Sequence, residues 1–337
     1  MDNTTVDTYT LAESPLLAAI PADDRDALVS RREAIARGAK TSALMHMALA
    51  AGSVPVALAA LSSEVYGQAP AAQVTSVLQF ALLLENLEAE FYKTVTAGGA
   101  GFSAANNPQA AAFAPIRTAI AALPAATRDA VNNTLTLIRD HEIAHVALLR
   151  TALGANAGPV LTGTAFDFTG GRNPGTSNGP FLPATQNLAL ALAVTQAFED
   201  TGVRAYKGQA PNLIRTATLE TALRIHAMEA RHASRIRRLR RALTPTADVL
   251  RYSGTVRGGG AAAGGPPANP PAAFAGAFEA IYGGATPESN VSQGGVTVTG
   301  LGGTGANAAG EAFDEPLTRA EVTAIVQPFV VANVPTA

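Results

Sequence analysis

The chain contains no cysteine. That excludes disulfides, thiolate zinc sites, iron–sulfur clusters and cysteine nucleophiles together. Any metal must be held by His, Asp and Glu, a donor set that suits iron, manganese or zinc without choosing among them. Tryptophan is also missing. No charge of one sign dominates: 24 basic against 26 acidic residues leave a formal net charge of −2 over 337 residues. The molecule as a whole therefore has no electrostatic reason to seek nucleic acid. A long uninterrupted apolar run is lacking too. The most apolar stretch, about Thr41 to Leu61, carries His46, Gly52 and Pro55 and makes a poor membrane-spanning helix. What the chain has in quantity is alanine, which favours helix.

Composition divides the chain into three parts: an extension over 1–69, a helical region over 70–250, and a Gly/Pro-rich linker and tail over 251–337. In the first part Arg31 and Arg32 precede the modest apolar run, and small residues follow at Gly67 to Ala69. This pattern resembles a twin-arginine export signal and predicts a periplasmic or extracellular protein. Several aspartates precede the arginines, where such signals are normally basic. The alternative is an alanine-rich helix of the fold, with the protein cytoplasmic.

The middle part reads as four long helices, at about 71–96, 124–153, 183–207 and 211–243. Proline near their starts and glycine or proline past their ends support these limits. A few residues, "GQAP", join the third helix to the fourth, which predicts an antiparallel hairpin. About 30 residues rich in Gly, Asn and Pro separate the second from the third. A long crossover at the middle of a four-helix bundle is the ferritin-like topology. In the tail, "QGGVTVTGLGG" reads as a short strand or hairpin. "LTRAEVTAIVQPF" reads as a short helix with Thr318 and Glu321 at capping-box spacing. Its apolar residues Val322, Ile325, Val326 and Phe329 are expected to pack on the bundle.

Within the second helix "HEIAH", residues 141–145, fits the HExxH pattern of zinc peptidases, where two histidines one turn apart bind the ion. It also contains the shorter Glu142-x-x-His145. A repeat decides between the two readings. The first helix has Glu85 and, seven residues on, Tyr92; the third has Glu199 and Tyr206. The second has Glu142-x-x-His145 and the fourth Glu229-x-x-His232. The chain thus states Glu-x6-Tyr and Glu-x-x-His, then states both again. Seven residues is close to two helical turns and three is close to one, so each pair shares a helix face. The repeat has Met228 where the first copy has His141, and nothing like the HxxGxxH that would bring a third zinc ligand follows His145. His141 is therefore expected at the surface or as a support to a ligand.

These carboxylates fall on the apolar stripes of their helices, where an unpaired charge is expensive. Four carboxylates and two neutral histidines sum to −4, which two divalent ions cancel. One Glu from each of two helices with Glu-x-x-His from the other two is the dimetal-bundle recipe. By it Glu142 and Glu229 bridge, Glu85 and Glu199 are terminal ligands, and His145 and His232 bind one ion each. Asp140, Asp200 and His226 lie near ligands in sequence and are candidate partners for the histidines. "RIRRLRR", residues 235–241, reads as a solvated basic face that complements the helix dipole.

At these residues the chain resembles the ferritin-like family, and within it the exported ferritin-like proteins described as desiccation-related. The resemblance covers 71–243 and extends to "AIYGGATPESNVSQGGV" and "EAFDEPLTRAEVTAIVQPF". It implies a dinuclear site of Glu85, Glu142, His145, Glu199, Glu229 and His232, most readily iron, with manganese or zinc allowed. Tyr92 and Tyr206 would be its supporting or redox-active tyrosines. It implies a ferroxidase- or peroxidase-type oxidoreductase taking oxygen or peroxide in stress protection. The alternative is a structural, stress-protective exported protein whose metals only stabilise the bundle. A homo-oligomer is allowed. The extensions at both ends argue against a 24-subunit storage cage, and the missing cysteines argue against a rubredoxin-type electron relay.

Overall fold

A computed structural model describes residues 69–172, 178–243, 281–283, 287–288, 290–300 and 312–331. The arginine pair, the apolar run behind it and the linker from 251 to 280 lie outside the described residues. Among the described residues six α-helices follow in order: α1 Ala71–Thr96, α2 Ala114–Ala121, α3 Ala125–Leu153, α4 Leu188–Gln209, α5 Thr218–Leu243 and α6 Arg319–Val326. The four long ones pair α1 with α3 and α4 with α5. The architecture is the expected all-α bundle.

Helix limits follow local chemistry. Pro70 and Pro124 stand at the N-caps of α1 and α3, and Gly154 ends α3 with φ +55°. Two starts fall later than the prolines suggest. Pro183 opens only a short 3₁₀ turn, Leu182–Thr185, and α4 begins where the Asn187 side chain accepts from Leu190 N at 3.1 Å. Pro211 likewise sits in the 3₁₀ turn Ala210–Leu213. Arg215, at φ +67°, then breaks the chain before α5 starts at Thr218.

One apolar cluster joins Val77 and Ala81 of α1, Leu149 and Leu153 of α3, Tyr206 of α4, and Ala222 and Ile225 of α5. The start of α1, the end of α3, the end of α4 and the start of α5 therefore share one end of the bundle. α3 finishes where α4 also finishes, so the segment between them must run the bundle's length. Twenty-two residues of α4 at 1.5 Å each set that length at about 33 Å. On its way the crossover buries Phe166, Phe168 and Phe181. The Gln109 side chain clamps it, donating to Phe166 O at 2.7 Å and accepting from Phe168 N at 2.9 Å.

α1 and α4 are buried nearly all round at mid-length, as expected of inner helices. Tail residues lie against α4. Val322, Val326 and Phe329 belong to the same buried cluster as Phe198 and Leu192, and Phe198 meets Phe329 edge-on at 5.0 Å. The capping box of α6 forms: Glu321 N donates to Thr318 Oγ1 at 3.3 Å, and Thr318 N to Glu321 Oε2 at 2.7 Å. Ser292–Gln293 (β1) and Val296–Thr297 (β2) form a small antiparallel hairpin. Its turn takes Gly294 and Gly295 at positive φ, 57° and 81°.

Candidate metal centre

Each bundle helix turns one or two of the repeat residues inward, because three- and seven-residue spacings return to one helix face. The structure brings Glu85, Glu142, His145, Glu199, Glu229 and His232 together at mid-bundle. They form two groups, Glu85–Glu142–His145–Glu229 and Glu142–Glu199–Glu229–His232. In each group the donor atoms lie within 4.8 Å of one another. Glu142 and Glu229 belong to both. The four glutamates are fully buried, and His232 is 1% exposed.

The nitrogens face the carboxylates through Nδ1. His145 Nδ1 lies 3.0 Å from Glu85 Oε2, 3.2 Å from Glu142 Oε2 and 3.4 Å from Glu229 Oε1. His232 Nδ1 lies 2.8 Å from Glu142 Oε1, 3.2 Å from Glu199 Oε2 and 4.0 Å from Glu229 Oε1. One ring nitrogen serves at most one acceptor at a time, so three oxygens around each are more than a proton can satisfy. Glu142 Oε1 and both oxygens of Glu229 are buried without a hydrogen-bond partner. The 2.8 Å approach of His232 to Glu142 Oε1 is misaligned for a hydrogen bond. Converging donors with orphaned oxygens fit a bound cation rather than a proton network.

A model of the ferritin-like domain matches residues 73–242, half of the chain. The chain belongs to the ferritin-like family. No curated protein and no solved structure matches it.

The electrostatics of this ferritin-like site are those of crowded buried acids. Burial, then the charge of Glu229, pushes the Glu142 carboxyl well above the usual range. Burial, then Glu85, does the same to Glu229. Burial also raises Glu85, but contacts with His145, Glu142 and Tyr206 outweigh it and hold this carboxyl below its usual value. The two tyrosines bond crosswise. Tyr92 of α1 donates to Glu199 Oε1 of α4, and Tyr206 of α4 donates to Glu85 Oε1 of α1 at 2.5 Å. Each tyrosine thus serves the glutamate of the other inner helix.

His141 enters neither group. Its Nδ1 lies 3.0 Å from His232 Nε2, and the rings stack at 5.2 Å. Burial, then the neighbouring His232, holds His141 below the usual histidine range, so its neutral ring can accept from His232 Nε2. The other candidate partners serve elsewhere. Asp140 pairs with Arg139 at the surface. Asp200 accepts from Tyr282 at 2.7 Å, from Gln196 at 3.1 Å and from Arg237 at 3.2 Å. His226 feels Asp314 and Lys207. One residue along a helix turns about 100° and two residues about 200°, which carries Asp200, next to Glu199, and Asp140, two before Glu142, off the site face. The basic end of α5 is also less solvated than its composition suggests. Arg235, Arg238 and Arg241 are exposed, but Arg240 is buried and donates to Gln196 at 2.5 Å.

One acid at the site went unread in the sequence. Glu88 is 4% exposed. Burial first, then the charges of Glu199 and Glu85, raises its carboxyl well above normal. Its i+3 spacing from Glu85 was the available signal.

Proposed function

We propose that the six residues hold two divalent ions, most readily iron, and that the loaded site oxidises Fe(II) with oxygen or peroxide in stress protection. Glu142 and Glu229 bridge. Glu85 and His145 complete one ion's set, Glu199 and His232 the other's. What carries the reading is the group of buried carboxylate oxygens with no partner, Glu142 Oε1 and both of Glu229. The bound metals would supply the electron transfer.

The chain's own residues provide the setting. The carboxylates offer hard oxygen donors suited to ions that change charge. Tyr92 and Tyr206 orient the two terminal glutamates from across the bundle. His141 orients His232. A small apolar recess is lined among others by Val77, Ala81, Leu84, Tyr206, Leu213 and Ala222. It suits entry of a small neutral oxidant and disfavours large polar substrates. Among the described residues no helix is long and apolar enough to cross a membrane.

Anaerobic Fe(II) titration followed by oxygen or peroxide, read optically, tests the reading. Two ions per chain and oxidation on mixing are expected. Two ions with neither oxidant consumed would leave only a metal-stabilised bundle. We propose export from Arg31 and Arg32 alone. An Arg31→Lys, Arg32→Lys double variant should then stay in the cytoplasm, and unchanged fractionation with an intact N-terminus would make 30–69 part of the fold.

A further inference from the structure

The two halves of the site are not equivalent. Aligning the repeat sets Glu85, Glu88 and Tyr92 of α1 against Glu199, Gly202 and Tyr206 of α4. Where the first half carries a carboxylate, the second carries no side chain. Glu88 stands one turn beyond Glu85 on the same face of α1. It is more than nine-tenths buried, and no hydrogen bond or ion pair reaches it among the described residues. Its electrostatic neighbours are the site glutamates: Glu85 and Glu199 act on it, and it acts on Glu142 and Glu229.

Gly202 explains how the acid fits. A Cβ at 202 would lie 2.8 Å from Glu229 Oε2 and 3.3 Å from Glu88 Oε1. Both carboxylates therefore reach over the same glycine, one from α5 and one from α1. Glu229 Oε2 is itself without a hydrogen-bond partner. Two buried carboxylates that both face a bare stretch of helix cost free energy unless a cation or proton compensates them. A side chain at 202 would close that gap.

We propose that Glu88 is a seventh protein donor of this centre, a carboxylate reserved for one of the two ions, and that Gly202 is the opening that admits it. The proposal rests on the dinuclear site proposed above. It makes the two ions unequal: one has an extra hard oxygen donor and one does not. The ion on the richer side binds more tightly, is harder to remove with chelator, and differs spectroscopically from its neighbour.

The test is anaerobic titration of the metal-free full chain with Co(II), followed by calorimetry and by visible absorption. Wild type should take up two ions in two unequal steps. Glu88→Gln keeps the shape and removes the charge. It should weaken one step by about tenfold or more and leave the other within about threefold, in line with the loss of one oriented donor. Gly202→Ala should weaken the same step, because its methyl group meets Glu229 and Glu88 together. Metal-free Glu88→Gln should melt no lower than wild type, since it removes an unpartnered buried acid. A binding defect therefore reports on the metal and not on folding. Two steps in Glu88→Gln, each within threefold of wild type, would overturn the proposal and leave the dinuclear reading intact. A wild type that takes up no second ion would remove the dinuclear reading, and this one with it.

Discussion

The Tyr206 hydroxyl on α4 donates to Glu85 on α1 at 2.5 Å, and Tyr92 on α1 returns the same bond to Glu199 on α4. The tyrosines thus tie the two halves of the repeat together across the bundle. Each phenylalanine variant should disturb the glutamate of the other helix. Tyr206→Phe should alter the ion held by Glu85 and His145, and Tyr92→Phe the ion held by Glu199 and His232. Loss of a hydrogen bond to a buried carboxylate costs about 1.5–3 kcal/mol. Melting curves and Co(II) spectra of the two variants check this. Identical spectral changes in both would mean that the crosswise pairing has no bearing on the metals.

Glu142 and Glu229 each belong to both donor groups. Replacing either with alanine should abolish binding of both ions together, whereas Glu85→Ala or Glu199→Ala should spare one. Elemental analysis after dialysis distinguishes these outcomes. His141→Ala should keep two ions and weaken the one on His232 by about ten- to a hundredfold, the usual cost of losing a partner that orients a ligand. A single zinc lost with His141 would instead revive the peptidase pattern.

Metal-free protein should lose stability as pH rises. Burial and neighbouring acids put the carboxyls of Glu142 and Glu229 well above 4.5 in the folded state. A raised pKa means stability fully present below the unfolded value and lost as pH climbs through the folded one. Glu85, held low, opposes this: its contribution is present above 4.5 and lost as pH falls. With Glu88, Glu142 and Glu229 raised against Glu85 lowered, the melting temperature in chelator should decline as pH rises above the ordinary carboxyl value of 4.5. Saturating Mn(II) should flatten or reverse that slope. A rising melting temperature in chelator would show that these acids are already paired without metal.

Gly208, near the end of α4, leaves no room for a side chain: a Cβ there would run into the Leu317 carbonyl. Leu317 N donates in turn to Arg204 O at 3.1 Å, and the buried Arg204 pairs with Glu288 at 2.8 Å. Gly208→Ala should therefore push the tail from α4, at a cost of about 1–3 kcal/mol. Limited proteolysis with mass spectrometry should then show faster cleavage after residue 281, with the bundle kept. An unchanged cleavage pattern would mean that the tail's grip lies elsewhere.

Four helices, their inward faces and the long crossover were legible in the sequence because each rests on short-range rules. A three- or seven-residue spacing returns to one helix face whatever the helix packs against. Segment length dictates whether neighbouring helices can turn back directly. The starts of α4 and α5 were misread because proline opens a 3₁₀ turn as readily as an α-helix, and the Asn187 cap and the Arg215 backbone settled the matter. Which groups meet across helices was not legible. The Tyr206–Glu85 and Tyr92–Glu199 bonds, the His141–His232 contact and the approach of Glu88 and Glu229 to Gly202 all depend on axial register and rotation between helices. So does the diversion of Asp200 from the histidines to Tyr282. Packing of complementary side-chain surfaces sets that register, and no periodicity within a single helix encodes it.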